Sequence, residues 1–216
     1  MLRKHAIAEV AFIASSQHGY VTRAQADTAG ADDNQLGRLT RGGVLARIDH
    51  GVYRFAGVPE HPHERLWVAW LRLDPDRFVA DRQQDPHAWV SHAAAAEVWG
   101  LGELPTSNID FIVDRRHQSS RDEIRFHRRS DGLEPVEWAV ADGLPVTAPH
   151  RLISDLAASQ VDGGHLARIA VEAIRDGHTD AERLGRALRS VAGRYGFDTG
   201  AELVDYLVAY DNTVAA

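Results

Sequence analysis

The sequence predicts an α+β protein of two domains, and three observations carry that prediction. Between Thr22 and Phe55, two capped helical segments lead into a short alternating run, a turn and a second alternating run. Residues 57–63, Gly-Val-Pro-Glu-His-Pro-His, interrupt any regular pairing with two prolines, and the hydrophobic pattern restarts directly after them. Beyond that break, strand-like alternation fills the middle of the chain and helical stripes fill its last third. The boundaries read as 1–58 for a small helix-and-hairpin domain and 59–216 for a mixed α/β domain with a small, mostly antiparallel sheet and a C-terminal helical group.

Leu2 to Gln17 opens the chain as an amphipathic helix, with Ile7, Val10, Ala11, Phe12, Ile13 and Ala14 as its apolar positions. Gly19-Tyr20-Val21 links it to the next element. Thr22 is followed three residues later by Gln25, and Asp32 by Gln35, so each of two short helices begins with a capping box. Between them Ala29-Gly30-Ala31 supplies the small residues of a sharp turn, with glycine free to take positive φ. That spacing is a helix-turn-helix. At roughly 100° per residue, the second helix turns Leu36 and Leu39 to a core and Asn34, Gly37, Arg38 and Arg41 outward.

Gly42-Gly43 ends that helix. Val44 to Ile48 and Val52 to Phe55 then alternate around Asp49-His50-Gly51, a hairpin that makes the whole a winged helix-turn-helix. The outward residues suit DNA. Asn34 can pair with adenine, Arg38 or Arg41 can read guanine or clamp phosphate, and Gly37 lets the backbone approach another surface. Arg47, Arg54 and His50 fall where a wing meets the DNA backbone or minor groove. Asp32 reads as a cap and Asp33 as a partner of the helix dipole. The same module also serves as a protein-binding scaffold, and the sequence leaves that use open.

In the second domain, Glu64 to Leu73 reads as a buried helix, stopped by Asp74-Pro75-Asp76. Trp89 to His92 leads into an alanine-rich helix ending at Trp99. Thr106 to Val113 and Arg121 to His127 alternate as strands, with Leu133 to Val140 and Leu144 to Thr147 as shorter ones. Arg115, Arg116, Arg125, Arg128 and Arg129 gather around the first two strands as a basic cluster, either a solvated hairpin or a surface for nucleic acid or an acidic partner. Pro149 starts a further helix from its first turn. Three more follow over 164–176, 179–191 and 199–209, with apolar stripes at helical spacing.

Composition narrows the function. The 216 residues contain no cysteine, which excludes disulfides, thiolate metal sites and cysteine nucleophiles. No run of about 18 apolar residues is present to span a bilayer, and the expected location is the cytoplasm. The net charge is −7, but residues 1–57 hold seven basic and five acidic residues, a net +2 that leaves −9 for the rest. The first part can meet a polyanion, although so small an excess implies a dimer or a few well-placed arginines.

The only lysine is Lys4, so neither a phosphate-binding loop nor an Asp…Glu-x-Lys nuclease set can be assembled. Asp74-Pro75-Asp76 lacks an upstream Gly-Ser stretch and reads as a turn rather than a magnesium site. His61 and His63 lack further ligands at metal-site spacing. Ser91, His92 and Asp155 offer the residue types of a hydrolytic triad, but adjacent Ser and His on a helix or strand point apart and nothing supplies an oxyanion hole. No enzyme activity, metal or cofactor is expected. A nuclease or transferase with an unrecognised His/Asp site in the second domain is the enzymatic alternative.

Five stretches occur in a telling order. They are His50-Gly51-Val52-Tyr53-Arg54, Val90-Ser91-His92-Ala93-Ala94-Ala95, Trp99-Gly100-Leu101, a strand pair, and Pro145 through Ala157. In that order the chain resembles the AbiEi family of antitoxins from bacterial type IV toxin-antitoxin systems, which are linked to phage defence. The resemblance implies an N-terminal winged helix that binds inverted repeats in promoter DNA and represses its own operon. It also implies a C-terminal antitoxin domain that counters a nucleotidyltransferase toxin, and it places DNA contacts on Asn34, Gln35, Arg38, Arg41, Arg47, His50, Tyr53 and Arg54. The alternative is a stand-alone winged-helix regulator whose second domain senses a ligand or forms oligomers.

Overall fold

The computed structural model describes residues 2–105 and 107–214 and divides into two compact units, Met1–Pro86 and His87–Ala216. The first unit begins with α1 (Leu2–Ser15), whose Ala6, Val10 and Ala14 enter its core. Phe12, expected on the apolar face, is 76% exposed. Tyr20–Thr22 forms strand β1, where the sequence suggested only a link. Helices α2 (Arg23–Thr28) and α3 (Asp33–Arg41) follow, then β2 (Leu45–Asp49) and β3 (Val52–Phe55). The three strands form one antiparallel sheet in the order β1-β3-β2.

Both predicted helix starts are present. Thr22 Oγ1 accepts from the Gln25 amide at 3.0 Å while Gln25 Oε1 accepts from the Thr22 amide at 3.0 Å, a complete capping box. At α3, Asp32 accepts from the Gln35 amide at 2.8 Å, without the reciprocal side-chain bond among the described residues. Gly30 has φ +80°, as the tight turn requires.

The division falls at Pro86, not after Val58. The reason is α4 (Glu64–Leu73) and α5 (Val79–Gln84), which belong to the first unit. Helix α4 buries Trp67 and Trp70, with the Tyr20 ring stacked 6.5 Å from Trp67. Buried Gln25 donates to the Arg77 carbonyl at 2.9 Å, and Thr22 Oγ1 donates to the Pro75 carbonyl at 2.6 Å. The Pro-rich stretch therefore lies within a domain, and His61 packs its ring against His18 at 4.4 Å. Helix α5 has too few apolar residues to announce itself in the sequence.

The second unit is built on a five-stranded sheet in the order β6-β5-β4-β8-β7, with β4 at Ala88–Ser91, β5 at Ile109–Val113, β6 at Ile124–Arg128, β7 at Trp138–Ala141 and β8 at Leu144–Thr147. The sheet is mixed: among the described residues β4/β5 and β7/β8 pair antiparallel, whereas β5/β6 and β4/β8 pair parallel. The long excursions between those parallel partners permit a crossover that a short turn cannot make. Thr106, where the predicted strand begins, lies outside the described residues, and the strand runs over Ile109–Val113.

The predicted strand over 133–140 is shorter, because Pro135 starts a turn of 3-10 helix over Pro135–Glu137. Asp142 and Gly143, with φ +51° and +75°, close the β7/β8 hairpin. Helix α6 (His92–Trp99) buries Ala94, Ala95 and Ala96, small enough for close approach, and ends at Gly100 with φ +67°. The C-terminal group comprises α7 (Pro149–Ala158), α8 (Gly163–Arg175), α9 (Ala181–Leu188) and α10 (Gly200–Val214), each opening near its expected start. Among the described residues no helix is long and apolar enough to cross a membrane.

Candidate nucleic-acid interface

Helix α3 is held by one face and open on the other. Leu36 is 1% exposed and Leu39 packs against the same core, while Asn34, Arg38 and Arg41 are exposed. Amphipathic spacing alone orients these residues, because Leu36 and Leu39 are the apolar pair that the bundle can bury. Arg41 Nε donates to the Gly37 carbonyl at 3.1 Å, leaving its terminal nitrogens outward. A Cβ built on Gly37 meets no atom within 4 Å.

That space makes Gly37→Ala an informative change. Alanine in a helix interior favours folding by about 0.5–1 kcal/mol over glycine, so the variant should melt higher. If α3 lies against DNA at Gly37, the same variant should bind DNA more weakly. A thermal melt and a binding titration on one preparation check both. Gain of stability with unchanged binding would place Gly37 away from the contact.

The acidic start of α3 is neutralised locally. Arg23 makes two bonds to the Asp33 carboxylate, both at 2.5 Å, and the pairing raises the Arg23 pKa. Asp32 is occupied as the cap. Asp33 therefore does not stand as an uncompensated negative charge before Asn34, and Asp32 is turned to the helix's first amides. Arg23 had no role in the sequence reading, since a ten-residue separation gives no local signal. A groove of about 620 Å³ runs beside this pair, lined by Arg23, Asn34, His50 and Arg72 among others.

The hairpin is short. Asp49 pairs with Val52, leaving His50 and Gly51 as a two-residue turn with Gly51 at φ +73°. Arg47 is exposed and donates to His50 Nδ1 at 3.2 Å, so its guanidinium supplies the positive charge of the tip. Arg72 pairs with Asp49 at 3.0 Å and neutralises the turn's carboxylate.

The remaining proposed contacts are placed differently. Arg54 is only 16% exposed and pairs with Glu64 of α4, which also accepts from the Tyr20 hydroxyl at 2.8 Å. Burial first, and the Glu64 bond second, push the Tyr20 pKa up to about 12. Arg54 is a strut between β3 and α4, which its exposed-looking position in the alternation did not reveal. Tyr53 is half-buried on the core, and the Gln35 side chain is half-buried with its Oε1 enclosed. The structure therefore brings Asn34, Arg38 and Arg41 to one surface and Arg47 and His50 to the wing tip. It draws Gln35, Tyr53 and Arg54 inward.

Charge follows the same boundary. With α4 and α5 included, residues 1–86 contain eleven basic and eleven acidic residues, so the first unit is neutral and its cations count only through their placement on α3 and the wing.

The second basic cluster does not form one patch. Arg129 pairs with Glu137 at 3.0 Å. Arg125 and Arg128, three residues apart on β6, point to opposite faces of the sheet. Arg115 and Arg116 are exposed beyond the end of β5. Glu137 and Asp155 together hold Arg151, at 2.7 and 2.9 Å.

His150 lies in the first turn of the same helix. Burial first, and the positive charge of Arg183 second, lower its pKa to about 4 from an ordinary 6.5. Its Nδ1 is buried without a hydrogen bond among the described residues. A histidine depressed in the folded state takes up its proton mainly on unfolding, so its contribution is complete above pH 6.5 and is lost as pH falls toward 4. Denaturant midpoints across that window should fall more steeply for the natural chain than for His150→Gln; parallel curves would remove His150 as the cause.

Ser91 and His92 do not point apart, as regular backbone would require. His92 takes φ +52° at the junction of β4 and α6, which turns its Nδ1 to within 3.0 Å of Ser91 Oγ. Ser91 is fully buried, so its hydroxyl is closed to solvent. Burial first, and the neighbouring His127 second, lower the His92 pKa.

Residues 9–56 match the family profile described as transcriptional regulator, AbiEi antitoxin. The first unit carries an AbiEi-type regulator domain. The matched span runs from within α1 to the end of β3, so it contains the whole helix-turn-helix and wing. No curated protein matches the chain. Among solved structures, the RV2827C protein from Mycobacterium tuberculosis matches with a TM-score of 0.51 at 20% identity, covering 94% of this chain and 76% of that one. At that identity the likeness is one of fold alone, and it extends over both units.

Proposed function

We propose that the chain is an AbiEi-type antitoxin that represses its own toxin-antitoxin operon. Helix α3 enters a major groove, Asn34, Arg38 and Arg41 contact bases and phosphates, and Arg47 with His50 touches the backbone from the wing. Bound protein denies the promoter to polymerase. The observation that carries this reading is the coincidence of the AbiEi regulator match with the open cationic face of α3. A neutral unit gains little from charge alone, which favours two copies on inverted repeats over a single one. The second unit counters a nucleotidyltransferase toxin encoded beside it, as the family resemblance implies.

The experiment is a mobility shift of the full chain on the DNA upstream of its own gene against a scrambled duplex, at several salt concentrations. Specific retention that weakens as salt rises is the expected result. Equal retention of both duplexes, or none, would reassign the winged helix to protein contact. The full chain is needed because a fragment cut near Pro59 would lose α4 and α5 from the first unit.

A further inference from the structure

The second unit gathers His92, Asp110 and His127 at one point, and nothing in the DNA-binding reading uses them. Their grouping follows from strand register. Ser91 on β4 lies opposite Asp110 on β5, and Asp110 opposite Arg125 on β6, so Ser91, Asp110 and, two residues beyond Arg125, His127 project from the same face of the sheet. His92 reaches that face only because its positive φ folds the side chain back over Ser91. A non-glycine residue in this conformation is costly, and such strain concentrates at functional sites.

The resulting geometry is compact. His127 Nε2 lies 2.8 Å from Asp110 Oδ1, and the His92 and His127 rings stack at 4.0 Å between centroids and 19° between planes. One donor atom from each of the three residues falls within 4.8 Å of the others. Asp110 is 7% exposed, a buried carboxylate in the apolar run Ile109 to Val113, whereas the His127 side chain is 40% exposed and opens the cluster to solvent. Ser91 on His92 Nδ1 fixes a ring plane in the manner of the outer contacts that orient metal-binding histidines. Two cations lie nearby: Arg125, opposite Asp110 on β6, and Arg151, whose charge is already met by Asp155 and Glu137.

We propose that His92, Asp110 and His127 form a binding site for a divalent transition-metal ion of the zinc class. Two imidazoles and one carboxylate favour zinc, cobalt or nickel over magnesium or calcium, which take oxygen donors. Donors on one zinc ion stand about 3.3 Å apart, given bonds of about 2.0–2.1 Å in tetrahedral geometry. The His127–Asp110 spacing is close to that already, and ring rotation brings in His92. Three protein ligands leave a coordination position for water or a substrate oxygen on the His127 side. The site is independent of the promoter-binding reading and survives or fails separately from it.

The test uses the full chain, stripped with chelator and titrated with cobalt(II) by visible absorption and with zinc(II) by calorimetry. The expected result is one equivalent per chain with tetrahedral or five-coordinate cobalt bands. His127→Ala should lower affinity at least about tenfold, while His165→Ala, on the exposed start of α8, should leave it unchanged. His127→Cys supplies a second readout, since a thiolate-to-cobalt charge-transfer band arises only if position 127 is a ligand. Because the His127 side chain is 40% exposed at the mouth of the cluster, these variants should keep the wild-type circular dichroism spectrum. No uptake, uptake indifferent to His127→Ala, or a cysteine variant without the thiolate band would each overturn the site.

Discussion

Replacing Arg38 and Arg41 together by alanine should abolish preference for the chain's own promoter while leaving the melting curve nearly unchanged. Both residues are exposed on α3, and no ion pair holds either among the described residues. A surface substitution of this kind changes stability by about 0.5 kcal/mol or less. A bidentate arginine on guanine discriminates by about 1–3 kcal/mol, so two base contacts are worth on the order of 30- to 25,000-fold. If one of them holds phosphate instead, its loss weakens every sequence alike and lowers the salt slope by about one. Titrating both duplexes at three salt concentrations separates the cases. Unchanged operator affinity in the double variant would mean that this face of α3 is not the reading face, whatever the family match says of the domain.

The parts of this interface that could be read in the sequence were those set by short-range rules. Capping residues and helical periodicity located α2 and α3, and an apolar pair three residues apart told inside from outside. Side chains decided by distant partners escaped. Arg54 alternates like a surface residue, yet Glu64 ten residues away draws it inward. Arg23 neutralises Asp33 across the helix-turn-helix. The domain boundary failed for the same reason. Two prolines broke the local pattern, but α4 packs back through Tyr20 and Glu64, and no local rule carries that information. In the second unit the helices had been legible from their stripes and the sheet's direction had not. Short alternating runs specify a face, whereas parallel or antiparallel pairing depends on which strands meet. The His92 cluster could have been suspected from Asp110, a charge inside an otherwise apolar strand.

Gly200→Ala should be the most damaging single substitution in the C-terminal helices. Helices α9 and α10 cross so closely that a Cβ on Gly200 would lie 2.0 Å from the Gly185 carbonyl oxygen and 2.8 Å from the Arg189 amide nitrogen. Both obstacles are backbone, so no side-chain rotation relieves them and the helices must move apart. That motion would open the packing of Leu184, Leu188, Leu203 and Leu207, all essentially buried. Overpacking in cores costs about 1–3 kcal/mol where side chains can give way, and a backbone clash belongs at or above the top of that range. For a unit of this size that is a fall in melting temperature on the order of 10 °C. Gly37→Ala is the internal contrast, the same chemical change in a helix with open space beside it. If helix propensity governed both positions, both variants would melt higher. The described crossing requires opposite signs, and a Gly200→Ala protein as stable as the natural chain would show that α9 and α10 do not meet at Gly185 and Gly200.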